Sequence, residues 1–139
     1  MRHRLLLIAL SAAILTRLCT GQTPPTDEDR IRSLIVEFAN ARNAHDGQAV
    51  AAKYSEDGEW IGSGGLTSVK GRAALADMWG KIEGQVQRTV ESIQFAGSNI
   101  ATVRVATLYA DPIGLRHEVF IVVKEPWTTQ WDIRIHQTL

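Results

Sequence analysis

The chain reads as an α+β domain in which three helices precede a run of antiparallel strands. Three observations predict this. Apolar residues recur at helical spacing in two segments of the first half, and from residue 86 the period shortens from 3.6 to 2. The turn-forming stretches "AGSN", "DPIG" and "EPWTTQ" then divide the second half into strand-length pieces. Helices followed by strands is the pattern of helices packed on one face of a sheet.

The first element precedes the domain. Arg2 and Arg4, the apolar run Leu5 to Leu15, and "LCTG" before the polar "QTPPTDED" have the layout of a secretory signal peptide. The run is shorter than the roughly 20 apolar residues that span a bilayer. Cys19 and Gly21 fit the −3 and −1 positions of a cleavage site, so residues 1–21 are expected to leave and the mature chain to start near Gln22. Lipidation of Cys19 would make a lipoprotein instead, but Leu18 stands where that signal wants a small residue. The expected location is secreted or periplasmic, without a stable membrane anchor.

Residues 22–26 form a Pro-containing linker, and 27–139 suffice for a single domain with one core. Three of the 15 basic residues and none of the 15 acids lie in the signal, so the mature domain is mildly acidic. No basic cluster points to nucleic acid or to an anionic membrane. The single cysteine leaves with the signal, and with it any disulfide, thiol nucleophile or thiolate metal site.

Thr26 and Asp29 have capping-box spacing, with the acid also favourable at a helix N-terminus. Ile31, Leu34, Ile35 and Phe38 follow at i, i+3, i+4 and i+7, which predicts an amphipathic helix over about 27–44. "NAHDG" breaks it. His45 or Asp46 can cap a short second helix, with Val50 and Tyr54 one turn apart on the same face and Tyr54 closing it. "EDGEWIGSGG" predicts a short strand that leaves through a glycine-rich loop. Leu75, Met78, Trp79 and Ile82 then mark a third helix over about 71–82. "VESIQF", "NIATVRVATLY", "LRHEVFIVVK" and "WDIRI" are the strands; Ala101, Val103, Val105, Thr107 and Tyr109 share one face of the second of these.

The helix "IRSLIVEFANARNAHDGQAVAAKYSEDGEW", the "KGRAAL" that opens the third helix and the closing "WDIRIHQT" resemble the NTF2-like, or SnoaL-like, superfamily. Within it they resemble the group of the DUF4440, or SgcJ/EcaC, type. The spacing of Asp46, Tyr54, Asp57 and the aromatic Trp60 is the helix-to-strand corner of that superfamily. The resemblance covers nearly all of the mature chain. It implies a cone with a pocket between the first helix and a curved antiparallel sheet, and pairing of two copies through the sheet's convex face. It does not imply one activity, because this scaffold hosts isomerases, cyclases, dehydratases, hydrolases and binding modules.

In ketosteroid isomerase an Asp base removes a proton next to a carbonyl, while a Tyr and a protonated Asp stabilise the oxyanion. Aligned on the Asp-to-Tyr spacing, the base position falls on Gly62 and the oxyanion Tyr on Phe38. The second acid falls on or beside Val119, and strand parity turns Glu118 outward. That mechanism is therefore not expected here. Parity puts Phe38, Tyr54, Trp60, His117 and Val119 on one cavity, with Trp79 from the third helix.

His117 is the acid–base candidate in this set, and the alternative is a solvated histidine at the cavity mouth. His136 reads as lying on the outer face with Asp132 and Arg134, and His45 as a cap. No H-x-H or H-E-x-x-H pattern, nucleophile elbow or phosphate loop occurs, so neither metal nor cofactor is expected. Three readings stay open: a domain that binds a small apolar or aromatic molecule as a homodimer, a small isomerase, cyclase or dehydratase using His117 with Tyr54 as donor, and a dimerisation module for a protein partner.

Overall fold

Residues 21–139 are described in a computed structural model; the signal peptide expected over residues 1–21 lies, apart from its last residue, outside the described residues. Helix α1 spans Asp27–Asn43, α2 Gly47–Ala51 and α3 Arg72–Lys81. The strands are β1 Tyr54–Ile61, β2 Ser68–Lys70, β3 Val86–Phe95, β4 Ile100–Tyr109, β5 Leu115–Val123 and β6 Asp132–Thr138, with a 3₁₀ turn at Ser63–Gly65. The chain has the α+β architecture expected, with the helices packed on one six-stranded sheet of order β2-β1-β6-β5-β4-β3.

Helix α1 starts at the capping box read from the sequence: the Thr26 hydroxyl accepts from the Asp29 N–H while Asp29 accepts from the Thr26 N–H. Its stripe Ile31, Leu34, Ile35 and Phe38 is buried against the sheet. Burial of each such side chain is worth about 1.5–3 kcal/mol, and this, more than propensity, holds the helix. Asp27 ties the helix start to the far end of the sheet by accepting from Lys124 Nζ at 2.7 Å and Trp131 Nε1 at 3.1 Å.

Asp46 is the N-cap of α2, accepting from Ala49 N–H at 3.0 Å. His45 has a positive φ of 56° and binds the Ile82 carbonyl through Nδ1 at 3.0 Å, which joins the α1–α2 corner to the end of α3. Helices α2 and α3 cross at Gly47, where a Cβ would stand 2.1 Å from the Ala76 carbonyl oxygen and 2.7 Å from Gly80 N. Only a glycine allows that approach.

Two features differ from expectation. Tyr54 does not close α2 but begins β1. Its side chain faces inward in either setting, so apolar spacing alone cannot tell the last turn of a helix from the first residue of a strand. The sheet is also mixed: β1 runs parallel to β6, while the other pairings are antiparallel. The two strands lie at opposite ends of the domain sequence, so no hairpin constrains their direction.

Candidate functional site

The hairpin register fixes which β5 residues face α1. Leu108 pairs with Leu115 and Val105 with Glu118, and directly opposed residues share a face. Glu118 therefore points inward with Val103, Val105 and Thr107, and His117 and Val119 point outward. This corrects the sequence reading, which took the opposite parity. His117 is exposed and pairs with Glu91 at 3.2 Å on the outer face, and Val119 shares that face. Neither belongs to the interior.

His136 is corrected in the other direction. Ile121 pairs with Ile135 but Val122 with Ile133, so Arg134 is an extra residue in β6. Such a bulge shifts the inside–outside alternation by one. Ile133 and His136, three residues apart, consequently both face in, and both are 0% exposed. No feature of the sequence marks the bulge.

Phe38, Tyr54 and Trp79 stand in the interior, and Trp60 is half-buried beside Trp79 with ring centroids 6.3 Å apart. Phe38 makes edge contacts with Tyr54, Trp79, Phe120 and His136 at 5.4–5.9 Å. His136 stacks with Phe120 at 4.1 Å and with Trp79 at 5.8 Å. The space between α1 and the sheet is thus occupied by these rings. Gly62 is buried, and a Cβ there would meet the Trp60 ring at 3.1 Å.

Threaded through this aromatic core is a polar chain that the sequence reading did not identify. The Tyr54 hydroxyl lies 3.1 Å from His136 Nδ1, and His136 Nε2 lies 3.5 Å from Glu118 Oε2, an ion-pair contact without an aligned hydrogen bond. Glu118 receives Arg88 Nε at 2.9 Å, Arg88 Nη2 at 3.3 Å, the Thr107 hydroxyl at 2.8 Å and the Tyr109 hydroxyl at 2.7 Å. The Arg88 guanidinium also lies 4.8 Å over the Phe38 ring. Thr107 and Tyr109 on the apolar face of β4 were the one legible signal of this chain, two hydroxyls on a buried face that need a partner.

Burial works against ionisation of Glu118, but the neighbouring His136 and the hydrogen-bonded Arg88 guanidinium outweigh it and hold its carboxyl far below the usual carboxylate range. Burial also pushes His136 below the ordinary imidazole value and Tyr54 far above the ordinary phenol value. For Tyr109, burial first and the adjacent Glu118 charge second raise the pKa to about 12. An ionised Glu118 can only accept, which puts the His136 proton on Nε2 and makes Nδ1 the acceptor of the Tyr54 hydroxyl.

The chain of polar groups ends at open space. Where the end of α1, the α3–β3 loop and the β4–β5 hairpin meet, a cavity of about 280 Å³ is lined by Arg42, Ile82, Tyr109, Ala110 and Ile113 together with the polar rim Glu83–Gln85 and Asp111. Tyr109 is common to both: its ring lines the cavity and its hydroxyl holds Glu118. Arg42, 3% exposed, reaches from the last turn of α1 to the Gly84 and Glu83 carbonyls and lies 5.8 Å over the Tyr109 ring. Among the described residues no group of His, Cys, Asp and Glu is arranged to hold a metal, and no helix is long and apolar enough to cross a membrane.

The fold is that of the NTF2-like, cystatin-like proteins. A domain of unknown function with a cystatin-like fold from Nostoc punctiforme superposes with a TM-score of 0.71 at 23% identity, over 84% of this chain and 78% of that one. An NTF-2 like protein of unknown function from Shewanella oneidensis matches with a TM-score of 0.69 at 18% identity, over 81% of this chain and 98% of that one. A ketosteroid isomerase-like protein from Erwinia carotovora matches with a TM-score of 0.65 at 21% identity, over 78% of this chain and 92% of that one. No family model and no curated protein matches the sequence. At these identities the likeness carries the fold and leaves the function to the site.

Proposed function

We propose that this domain binds a small, largely apolar or aromatic molecule at the end of the cone, in the cavity bounded by Arg42, Ile82, Tyr109 and Ile113. The observation that carries the reading is the double role of Tyr109, which couples a concave, mostly apolar surface to a buried, charge-paired network. Ligand sites combine these two features, an apolar lining for affinity and a few fixed polar groups for orientation. At about 280 Å³ the cavity lies just below the usual range of about 300–1,000 Å³, which favours a ligand of one or two rings. Export after loss of residues 1–21, and pairing of two copies through the outer face of the sheet, belong to the same proposal. N-terminal sequencing and sedimentation analysis of the exported protein test them.

Native mass spectrometry of protein purified from its own host tests the binding reading. The expected result is an adduct of small mass that is lost in Tyr109→Ala. A bare protein, with no small molecule from host extract shifting the amide resonances of residues 82–85 and 109–113, would sink it.

A second reading is supported by the placement of His136 between a hydroxyl and a carboxylate, an arrangement suited to proton transfer. It stands second because His136 is fully buried. If a substrate is found, His136→Gln with unchanged turnover eliminates it.

A further inference from the structure

The buried charges at the end of the cone do not balance. Two guanidinium groups lie in the interior, Arg88 with a side chain 1% exposed and Arg42 at 3%, and a single carboxylate, Glu118, is buried with them. Glu118 is committed to Arg88 by two hydrogen bonds. Arg42 donates only to carbonyl oxygens, and among the described residues no carboxylate lies within ion-pairing distance of it. Glu83 and Asp111 also line the cavity, yet Arg42 bonds the backbone carbonyl of Glu83, not its side chain.

Among the described residues, three of the buried side-chain atoms without a hydrogen-bond partner are N–H donors: Arg42 Nε, Arg88 Nη1 and Trp79 Nε1. A buried donor without an acceptor is destabilising, and more so when it carries charge. An interior short of acceptors and in excess of positive charge suits an incoming anion. Arg42 is the donor that also lines the cavity.

We infer that the molecule bound at the end of the cone carries a carboxylate or another anionic oxygen, which accepts a hydrogen bond from the Arg42 guanidinium while its apolar body lies against Ile82, Tyr109 and Ile113. This rests on the small-molecule reading above and names the ligand class. Arg42 thereby serves as the specificity residue, since a neutral isostere leaves its guanidinium uncompensated.

Sodium benzoate and its neutral isostere benzamide are the probes, titrated into the exported protein by calorimetry and by observation of the arginine Nε–H resonances. Benzoate is expected to bind about tenfold or more tightly than benzamide, as one charge-assisted hydrogen bond would give. Its binding is expected to move the Arg42 Nε–H resonance, and Arg42→Gln is expected to remove the preference. Benzamide binding as tightly as benzoate, or an Arg42 resonance that stays in place while cavity amides shift, overturns the anion inference and leaves the binding reading standing. No shift at cavity residues with either probe overturns this inference and counts against the reading beneath it. Because the resonance is read in the unaltered protein, the outcome does not depend on how Arg42→Gln folds.

Discussion

Arg88 grips Glu118 through two hydrogen bonds, Nε to Oε2 at 2.9 Å and Nη2 to Oε1 at 3.3 Å, with both side chains 1% exposed. A pair this deep is retained only when its remaining lone pairs are satisfied, and Thr107 and Tyr109 do that. Arg88→Met is expected to cost about 3–5 kcal/mol in urea denaturation, because it strands a buried carboxylate. The double variant Arg88→Met with Glu118→Leu should recover most of that loss. A double variant no more stable than the single one would show that the pair is not what Arg88→Met removes.

Acid should weaken the fold in two overlapping windows. His136 in the folded state lies below its ordinary 6.5 and Glu118 below its ordinary 4.5. Between folded and unfolded pKa values the unfolded chain binds a proton that the folded chain does not, so stability falls as pH falls. The loss begins near pH 6.5 with His136 and deepens below pH 4.5 with Glu118. Tyr109 has the opposite sign: its pKa is raised from 10.0 to about 12, so its contribution is complete below pH 10.0 and is lost as pH rises through 12. Urea denaturation as a function of pH checks both limbs, and Tyr109→Phe should flatten the alkaline one.

The two histidines of the last strands should separate cleanly. His117→Ala removes an exposed group paired only with Glu91 and is expected to change stability by no more than about 0.5 kcal/mol. His136→Ala empties a fully buried site and leaves the Tyr54 hydroxyl without its partner, at a cost of about 3 kcal/mol. Equal effects in thermal or urea unfolding would contradict the inward placement of His136.

Gly47→Ala tests the crossing of α2 and α3. The added methyl would overlap the Ala76 carbonyl oxygen at 2.1 Å, and backbone cannot rotate away as a side chain would. The helices must part, at an expected cost of about 2–3 kcal/mol by calorimetric unfolding. A cost near zero would mean that α2 is free to shift.

Much of the frame follows from local chemistry. The Thr26–Asp29 box, the stripe Ile31, Leu34, Ile35 and Phe38, the turn signals and the alternation in β4 each depend on residues within a few positions of one another. The face of β5 was also within reach, since counting back from the "DPIG" hairpin pairs Val105 with Glu118. Alternation alone could not decide it, because both faces of β5 carry apolar residues: Phe120 and Val122 on one, Val119 and Ile121 on the other.

From the sequence by itself came the order of helices and strands, the α1 cap and the aromatic content of the interior. Tertiary structure decided which charged groups are buried. An extra residue at Arg134 turns His136 inward, and strands far apart in the chain bring Tyr54 and Glu118 to its ring and Arg88 to Glu118. Periodicity records which positions can be inside. Whether a carboxylate or a histidine can remain there depends on partners about 20 to 80 residues away, whose arrival is a matter of register and bulges that no local pattern records.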